Sequence, residues 1–387
     1  MRGSPHYVSH LSHFVPERAT LNSYHKTLNP KRMCASRSAC LTCLRYSPNA
    51  PLRPHVQRLL YRSISHVASV LMSSSLPEAS EAVVICTRNR PDELERTLDS
   101  IAAHPPSVDL LLAVVDASDA AARTRTRALI EDFDSLPSVH WPYTDMPSLA
   151  RQRNAAIDRL PPSVEIVHFI DDDVTMHPGY FEALSRLFRR DSDVGGAGGV
   201  IVTHSDDTTS SVVERLRRLF LLSHPRAGHV LPSGYAMSAQ HPTPSDGNGL
   251  RKTEWLSGCS SSYLRSLLDQ HRFDKNLMGY SMLEDLDLSY RIHRQAQLVV
   301  QPEARLTHRR SPRNRFDAER YGHALTVHRR WFVEKHFDAP HPAYWWSLVG
   351  RLFALLTSSA LHRTAALRGL IEGVRTVLSR DHPLLPP

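Results

Sequence analysis

From residue 82 onward, short apolar runs alternate with longer amphipathic ones. "AVVIC" (82–86) has no charged position and reads as a strand buried on both faces. "PDELERTLDSIAA" follows it, with Pro91 at the first turn and Asp92 and Glu93 favourable at an N-terminus, which predicts a helix. "VDLLLAVVD" (108–116) is a second strand ending in an acid, and "VHW" (139–141) a short third. "SLARQRNAAIDRL" (148–160) predicts a helix capped by Ser148, and "VEIVHFI" (164–170) a fourth strand. This alternation predicts an α/β fold: a mixed, mostly parallel sheet flanked by helices. "GGAGGVIV" (195–202) lacks the helix and Lys of a phosphate loop and reads as closely packed strand. Residues 223–250, rich in Pro, Ser, Gly and His, read as a long loop. From about residue 315 the pattern is helical, basic and aromatic, a helical C-terminal extension.

Ligands of open α/β sheets bind at the carboxyl ends of strands. Thr87–Arg90, Asp116 and Asp171–Asp173 all fall at such ends. In "IVHFIDDDVTMHPGYF" (166–181) three adjacent carboxylates repel one another, and no Lys or Arg follows within a dozen residues. Residues two apart on an extended segment face one side, so Asp171 and Asp173 can address one ligand. Their hard oxygens suit Mg²⁺ or Mn²⁺. A solvated acidic turn before a helix following Pro178 is the plainer reading. A second acidic pair, Glu284–Asp285, opens "LEDLDLSYRI", where the helix dipole alone would favour it. No G-x-G-x-x-G follows the first strand, which argues against an ordinary dinucleotide-binding enzyme.

The chain has 387 residues and a net charge of +8, which invites a nucleic-acid reading. The charge is unevenly placed. Residues 1–77 hold ten Lys or Arg and one acid, Glu17, leaving 37 basic and 38 acidic residues beyond them. The near-neutral body therefore points to no nucleic-acid partner. Residues 1–78, Ser-, Pro- and Arg-rich, are expected to be a disordered basic tail, either a transit-type segment or an upstream extension of a start near Met72. Five cysteines at scattered positions make no disulfide framework, which suggests a reducing compartment and a cytoplasmic location. No run of about 18 apolar residues is present.

"VVICTRNRPDELERTLDSI", "VVDASD", "SLARQRNAAI", "HFIDDDVTMHPGYF", "WLSGCSSSYLRS" and "FDKNLMGYSMLEDLDLSYRI", ending in His308, resemble in order and spacing the family 2 glycosyltransferases. The resemblance covers roughly residues 80–310. It implies the Rossmann-like GT-A fold, a catalytic domain over 79–312 with the extension over 313–387, and inverting transfer from a nucleotide-diphospho-sugar. It implies that Asp173 binds a divalent metal, Mg²⁺ or Mn²⁺, that Asp171 approaches the ribose or sugar, and that Asp172 shares either task. Asp116 would meet the nucleotide base, with Thr87 and Arg90 lining the same pocket. Arg151 and Arg153 open a helix suited to the diphosphate, Arg151 being the donor contact carried over. Asp285 would be the base, Glu284 would orient the acceptor, and His308 would add a metal or phosphate contact. The acceptor would be a glycan or lipid-linked, in polysaccharide or glycolipid assembly. "RRWFVEKHF" (329–337) and "YWWSLVGRLFALL" (344–356) fit an interfacial helix at the inner face of a membrane, packing onto the catalytic domain, or a dimer contact. A nucleotidyltransferase is the alternative, but it would want a Gly-rich, Lys/Arg-bearing phosphate loop where "CTRNRPDE" stands.

Overall fold

A computed structural model describes residues 79–203, 211–242, 249–279, 281–311, 317–338, 341–357 and 362–385. The expectation for the basic tail, 1–78, lies outside the described residues.

The sheet grows from its most apolar segments. Strand β1 (Glu81–Thr87) lies between β2 (Leu110–Asp116) and β4 (Ile166–Asp171), parallel to both, and β3 (Ser138–Pro142) extends the parallel half beside β2. The register sets Thr87 level with Asp116, and Cys86 level with Asp171. One end of the sheet thereby collects the side chains that the sequence marks as chemical. The other half is mixed and is formed by β5 (Val174–Met176), β6 (Val194–Val202), β7 (Arg251–Thr253), β8 (Ser260–Leu264) and β9 (Gln297–His308). The order is β3-β2-β1-β4-β8-β6-β9-β5, with β7 pairing β9.

Helices cover both faces. On one side α1 (Pro91–Ala102) and α4 (Tyr180–Arg190) bury Leu94, Ile101 and Leu184 in a core with Val83, Ile85 and Val114. Each such side chain contributes about 1.5–3 kcal/mol of hydrophobic burial. Helix α2 (Ala120–Glu131) flanks β3. On the other side lie α3 (Leu149–Arg159) and, after α5 (Ser211–Leu219) and α6 (Arg265–Gln270), helix α7 (Glu284–His293). Helix α8 (Ala318–His336) packs along α10 (Arg363–Ser379), with α9 (His341–Thr357) beside them. Val327, Phe332 and Val333 of α8 join the same core as Val84, Phe169 and Leu286.

The glycine run occupies β6, where the sheet leaves no room. A Cβ at Gly199 would lie 2.6 Å from Tyr180, and one at Gly196 would lie 2.6 Å from Leu298. His168, the polar residue inside β4's apolar run, is fully buried, with Ser262 at 2.8 Å and Glu81 at 3.1 Å. Its polar atoms are satisfied within the core, as buried ones must be.

Candidate functional site

The positive charge missing around Asp171–Asp173 comes from far along the chain. Arg90, just after β1, places Nη1 3.0 Å from Asp172 and Nη2 2.6 Å from Asp173. His308, the last residue of β9, brings Nε2 within 3.0 Å of the other Asp173 oxygen. The Ser311 backbone N–H donates to Asp173 at 2.9 Å. Burial opposes ionisation of Asp173, yet the bond from His308 and the Arg90 charge hold its carboxyl below the usual range. Burial likewise disfavours a charged His308, but Asp173 and the neighbouring Cys259 raise its pKa to about 10. Asp172 shares the Arg90 guanidinium with Asp173. It is buried, accepts a bond from the Thr87 hydroxyl at 2.7 Å, and burial raises its pKa to about 7.

Arg153 links the two acidic centres. It is 2 % exposed, and its Nη1 lies 2.9 Å from Glu284 while Nη2 lies 3.4 Å from Asp171 and donates to the Gly258 carbonyl at 3.0 Å. Gly258 has to be glycine for this: a Cβ there would stand 2.7 Å from the guanidinium. The Gly258 N–H in turn donates to Asp285 at 2.8 Å. Burial raises the pKa of both acids. For Glu284 the Asp285 charge adds to it and Arg153 opposes it; for Asp285 the Gly258 N–H opposes it most. The pair is aimed by a turn in which Ser281 and Leu283 take φ of 52° and 71°. That left-handed backbone costs a non-glycine residue about 1–2 kcal/mol. Two helices hold the turn: at the start of α3 the Ser148 hydroxyl lies 3.2 Å from the Ser281 hydroxyl and the Ala150 N–H donates to it, and His328 of α8 bonds the Met282 carbonyl at 3.0 Å. Burial drops the His328 pKa to about 4, so its ring is neutral in that bond near pH 7.

Among the other candidates, Asp116 is fully buried. Its carboxylate takes the Ser118 N–H at 2.8 Å and faces His140 at 3.1 Å, and these bonds hold its pKa low although burial opposes them. Gln152, also buried, donates to the carbonyls of Thr87 and Val115 and ties the ends of β1 and β2 together. Arg151 turns away from the acidic centres and bonds the Lys275 carbonyl. Residues two apart on a helix point in nearly opposite directions. Ala150, Arg153, Asn154 and Ile157 follow the i, i+3, i+4, i+7 spacing of an inward stripe, and all four are buried. That spacing, legible in the sequence, marks Arg153 and not Arg151 as the inward arginine.

Asp171, Asp173 and His308 each offer a ligand atom, all within 4.8 Å of one another. Two carboxylate oxygens and an imidazole nitrogen are a donor set that suits Mn²⁺ well and Mg²⁺ less well. The three residues therefore fit a divalent cation, provided that Arg90 and the His308 proton yield to it.

Three solved structures illustrate the likeness of this architecture to known ones. GalNAc-T7 with UDP, GalNAc and Mn²⁺ is 13% identical over 87% of this chain and 68% of that one, with a TM-score of 0.53. The mannosyltransferase PcManGT from Pyrobaculum calidifontis, in complex with GDP-Man and Mn²⁺, is 16% identical over 85% and 97%, with a TM-score of 0.47. S. aureus TarS 1–349 in complex with UDP-GlcNAc is 12% identical over 79% and 82%, also with a TM-score of 0.47. The first of these shows the GT-A fold. No curated protein sequence matches the chain. The family model described as "Glycosyltransferase like family 2" matches residues 77–332, about two thirds of the sequence, and the chain belongs to that family of glycosyl-transferring enzymes.

Proposed function

We propose that the chain moves a sugar, with inversion at the anomeric carbon, from a nucleotide-diphospho-sugar to an acceptor hydroxyl. The observation that carries this reading is the joining of two acidic centres through one buried arginine. Arg153 ties Glu284, beside Asp285, to Asp171, beside Asp173, at the sheet end where α/β ligands bind. Asp285 takes the proton from the acceptor hydroxyl as that oxygen attacks, and Glu284 orients the acceptor. A base with a carboxyl pKa raised by burial is better matched to neutral pH than a solvated aspartate. Asp173 and His308, with Asp171 beside them, would hold a divalent metal, Mn²⁺ or Mg²⁺. When bound, that ion supplies charge stabilisation for the departing diphosphate. Arg90, at the same end of the sheet, would serve as a guanidinium donor to the phosphates. Thr87 and Asp116 form the floor under the nucleotide base, and Asp171 and Asp172 close the ribose side. Arg151 contributes at the outer edge.

The family match favours transfer of a sugar over transfer of a nucleotide. The acceptor we propose is a glycan or a lipid-linked sugar, in polysaccharide or glycolipid assembly at the cytoplasmic face of a membrane. Two free cysteines, Cys86 and Cys259, support a reducing setting. No helix among the described residues is long and apolar enough to cross a membrane. The test is release of nucleoside diphosphate from UDP-, GDP-, TDP- and CDP-sugars with Mn²⁺ and glycan acceptors. One nucleotide class should be consumed, and Asp285→Asn should slow its transfer by about 10²–10⁴-fold. Full turnover by Asp285→Asn would remove Asp285 from the chemistry.

A further inference from the structure

The end of α5 and Phe220 just after it meet α9, and both helices leave apolar residues exposed. Phe220 packs against Trp346 and Phe353, with ring centroids 5.1 and 6.2 Å away, and Trp346 Nε1 donates to the Leu219 carbonyl at 2.7 Å. Gly350 permits the approach, since a Cβ there would stand 2.1 Å from Phe220. Even so, Leu216, Leu219, Trp346, Val349, Leu352 and Phe353 remain between 38% and 59% exposed. An apolar face of this kind marks an interaction surface. The charges of the two helices are nearly all positive: Arg215, Arg217 and Arg218 on α5 and Arg351 on α9, against Glu214 alone, which pairs with Arg217 and Arg218.

Behind this face sits an uncompensated buried cation. Arg329 of α8 is 1% exposed, with its guanidinium 3.9 Å from the centre of the Tyr235 ring and 5.9 Å from that of Tyr344. Its Nη1 and Nη2 have no hydrogen-bond partner among the described residues, nor has Nε of Arg351. Arg351 is bonded to Tyr235, so two guanidiniums meet at one phenol. The strongest electrostatic neighbours of Arg329 are Tyr235, Arg351, Tyr344 and Tyr321, none of them a carboxylate; Glu334, which also acts on Tyr344, is taken up by Arg330 and Arg380. Burial, with Arg351 adding to it, lowers the Arg329 pKa. Tyrosine faces offset part of the cost of a buried cation, but unused N–H donors in a like-charged pair call for an anion.

We propose that Arg329, Arg351 and Tyr235 bind the phosphate of an anionic membrane lipid, with the apolar face of α5 and α9 resting at the acyl boundary. Guanidiniums match phosphate oxygens bidentately, and basic amphipathic helices lie in anionic interfaces. Arg351 and Tyr235 are partly exposed and give the headgroup its approach, with Gly350 and Leu352 flanking Arg351 on the same helix. Helix α8 also carries His328, which holds the turn before Glu284, so a seated lipid would brace the helix that supports the acid pair. The inference rests on the peripheral setting proposed above, but its readouts are of binding alone and stand whether or not sugar is transferred.

The experiment is co-sedimentation of the full chain with vesicles of phosphatidylcholine, with and without phosphatidic acid, alongside thermal melting with free pyrophosphate. Wild type should be retained on phosphatidic acid vesicles and lost from pure phosphatidylcholine. Arg351→Gln, at a partly exposed site, should lower retention about fivefold, in line with one interfacial cation. Leu352→Asp should lower it about tenfold while leaving any effect of pyrophosphate on melting intact. Arg329→Gln should reduce retention with an unchanged circular dichroism spectrum. Equal retention on both vesicle types, or Arg351→Gln bound as well as wild type, would overturn the proposal. Stabilisation by pyrophosphate that Arg351→Gln abolishes, without vesicle retention of the wild type, would also overturn it, by assigning the arginines to a free phosphate.

Discussion

The two acidic centres of the cleft are compensated in opposite ways. At the end of β4, Asp173 is matched by Arg90, His308 and a backbone N–H, and its carboxyl is held ionised. At the start of α7, Arg153 pairs with Glu284, the N–H groups of Gly258 and Leu286 bond Asp285, and burial pushes both acids toward the protonated form. A carboxylate whose surroundings favour its charge is suited to hold a cation once Arg90 and the His308 proton yield; one whose pKa is raised is the better proton acceptor. The same residue chemistry thus supports two tasks, divided by what each acid touches.

The largest test of that division is kinetic. Asp285→Asn is expected to cut the transfer rate by about a thousandfold, roughly 4 kcal/mol of barrier, with nucleotide affinity preserved. Equal losses of rate and affinity would merge the two centres into one. Next in size is a stability effect at the link between them. Arg153→Met leaves Glu284 and Asp171 without their shared cation and should cost about 3–5 kcal/mol in urea unfolding. Adding Glu284→Gln should recover part of that loss, and a strictly additive double variant would contradict the coupling. Gly258→Ala should cost about 1–3 kcal/mol, because the new methyl meets the Arg153 guanidinium. An unchanged midpoint would mean that the guanidinium has room to move.

The comparison also has a pH signature. As the proposed base, Asp285 would work unprotonated, and burial raises its pKa, so the transfer rate should fall as pH drops through a value above the ~3.9 of a solvated aspartate. Asp173 is shifted downward and stays ionised over that range, so metal-dependent nucleotide affinity should not follow the same limb. Coincident limbs would contradict the assignment. The smallest expected effect is at Arg151. Its bond to the Lys275 carbonyl predicts a stability change within about 0.5 kcal/mol for Arg151→Ala, measured by the same unfolding.

Much of this layout is legible in the sequence. The apolar runs at 82–86 and 164–170 and the caps at Pro91 and Ser148 give the strands and helices that bring Thr87, Asp116 and Asp171 to one sheet end. The partners of the aspartates are not legible in the same way. Arg90 lies 83 residues before Asp173, and His308 reaches it only because β9 pairs with β5 through Val174. Leu283 at positive φ carries no local signal, since the turn is imposed by Ser148 and His328 from separate helices. Arg153 lies between these cases. Its place on the buried stripe of α3 follows from spacing, but its bridge to Glu284 requires the fold.

The central claim is that one acidic centre binds the donor and the other performs the chemistry. Calorimetric titration of the cognate nucleoside diphosphate, with Mn²⁺ present, into wild type, Asp173→Ala and Asp285→Asn tests it most directly. Binding retained by Asp285→Asn and lost by Asp173→Ala is the predicted result. Binding unaffected in Asp173→Ala, or abolished in Asp285→Asn, would contradict it.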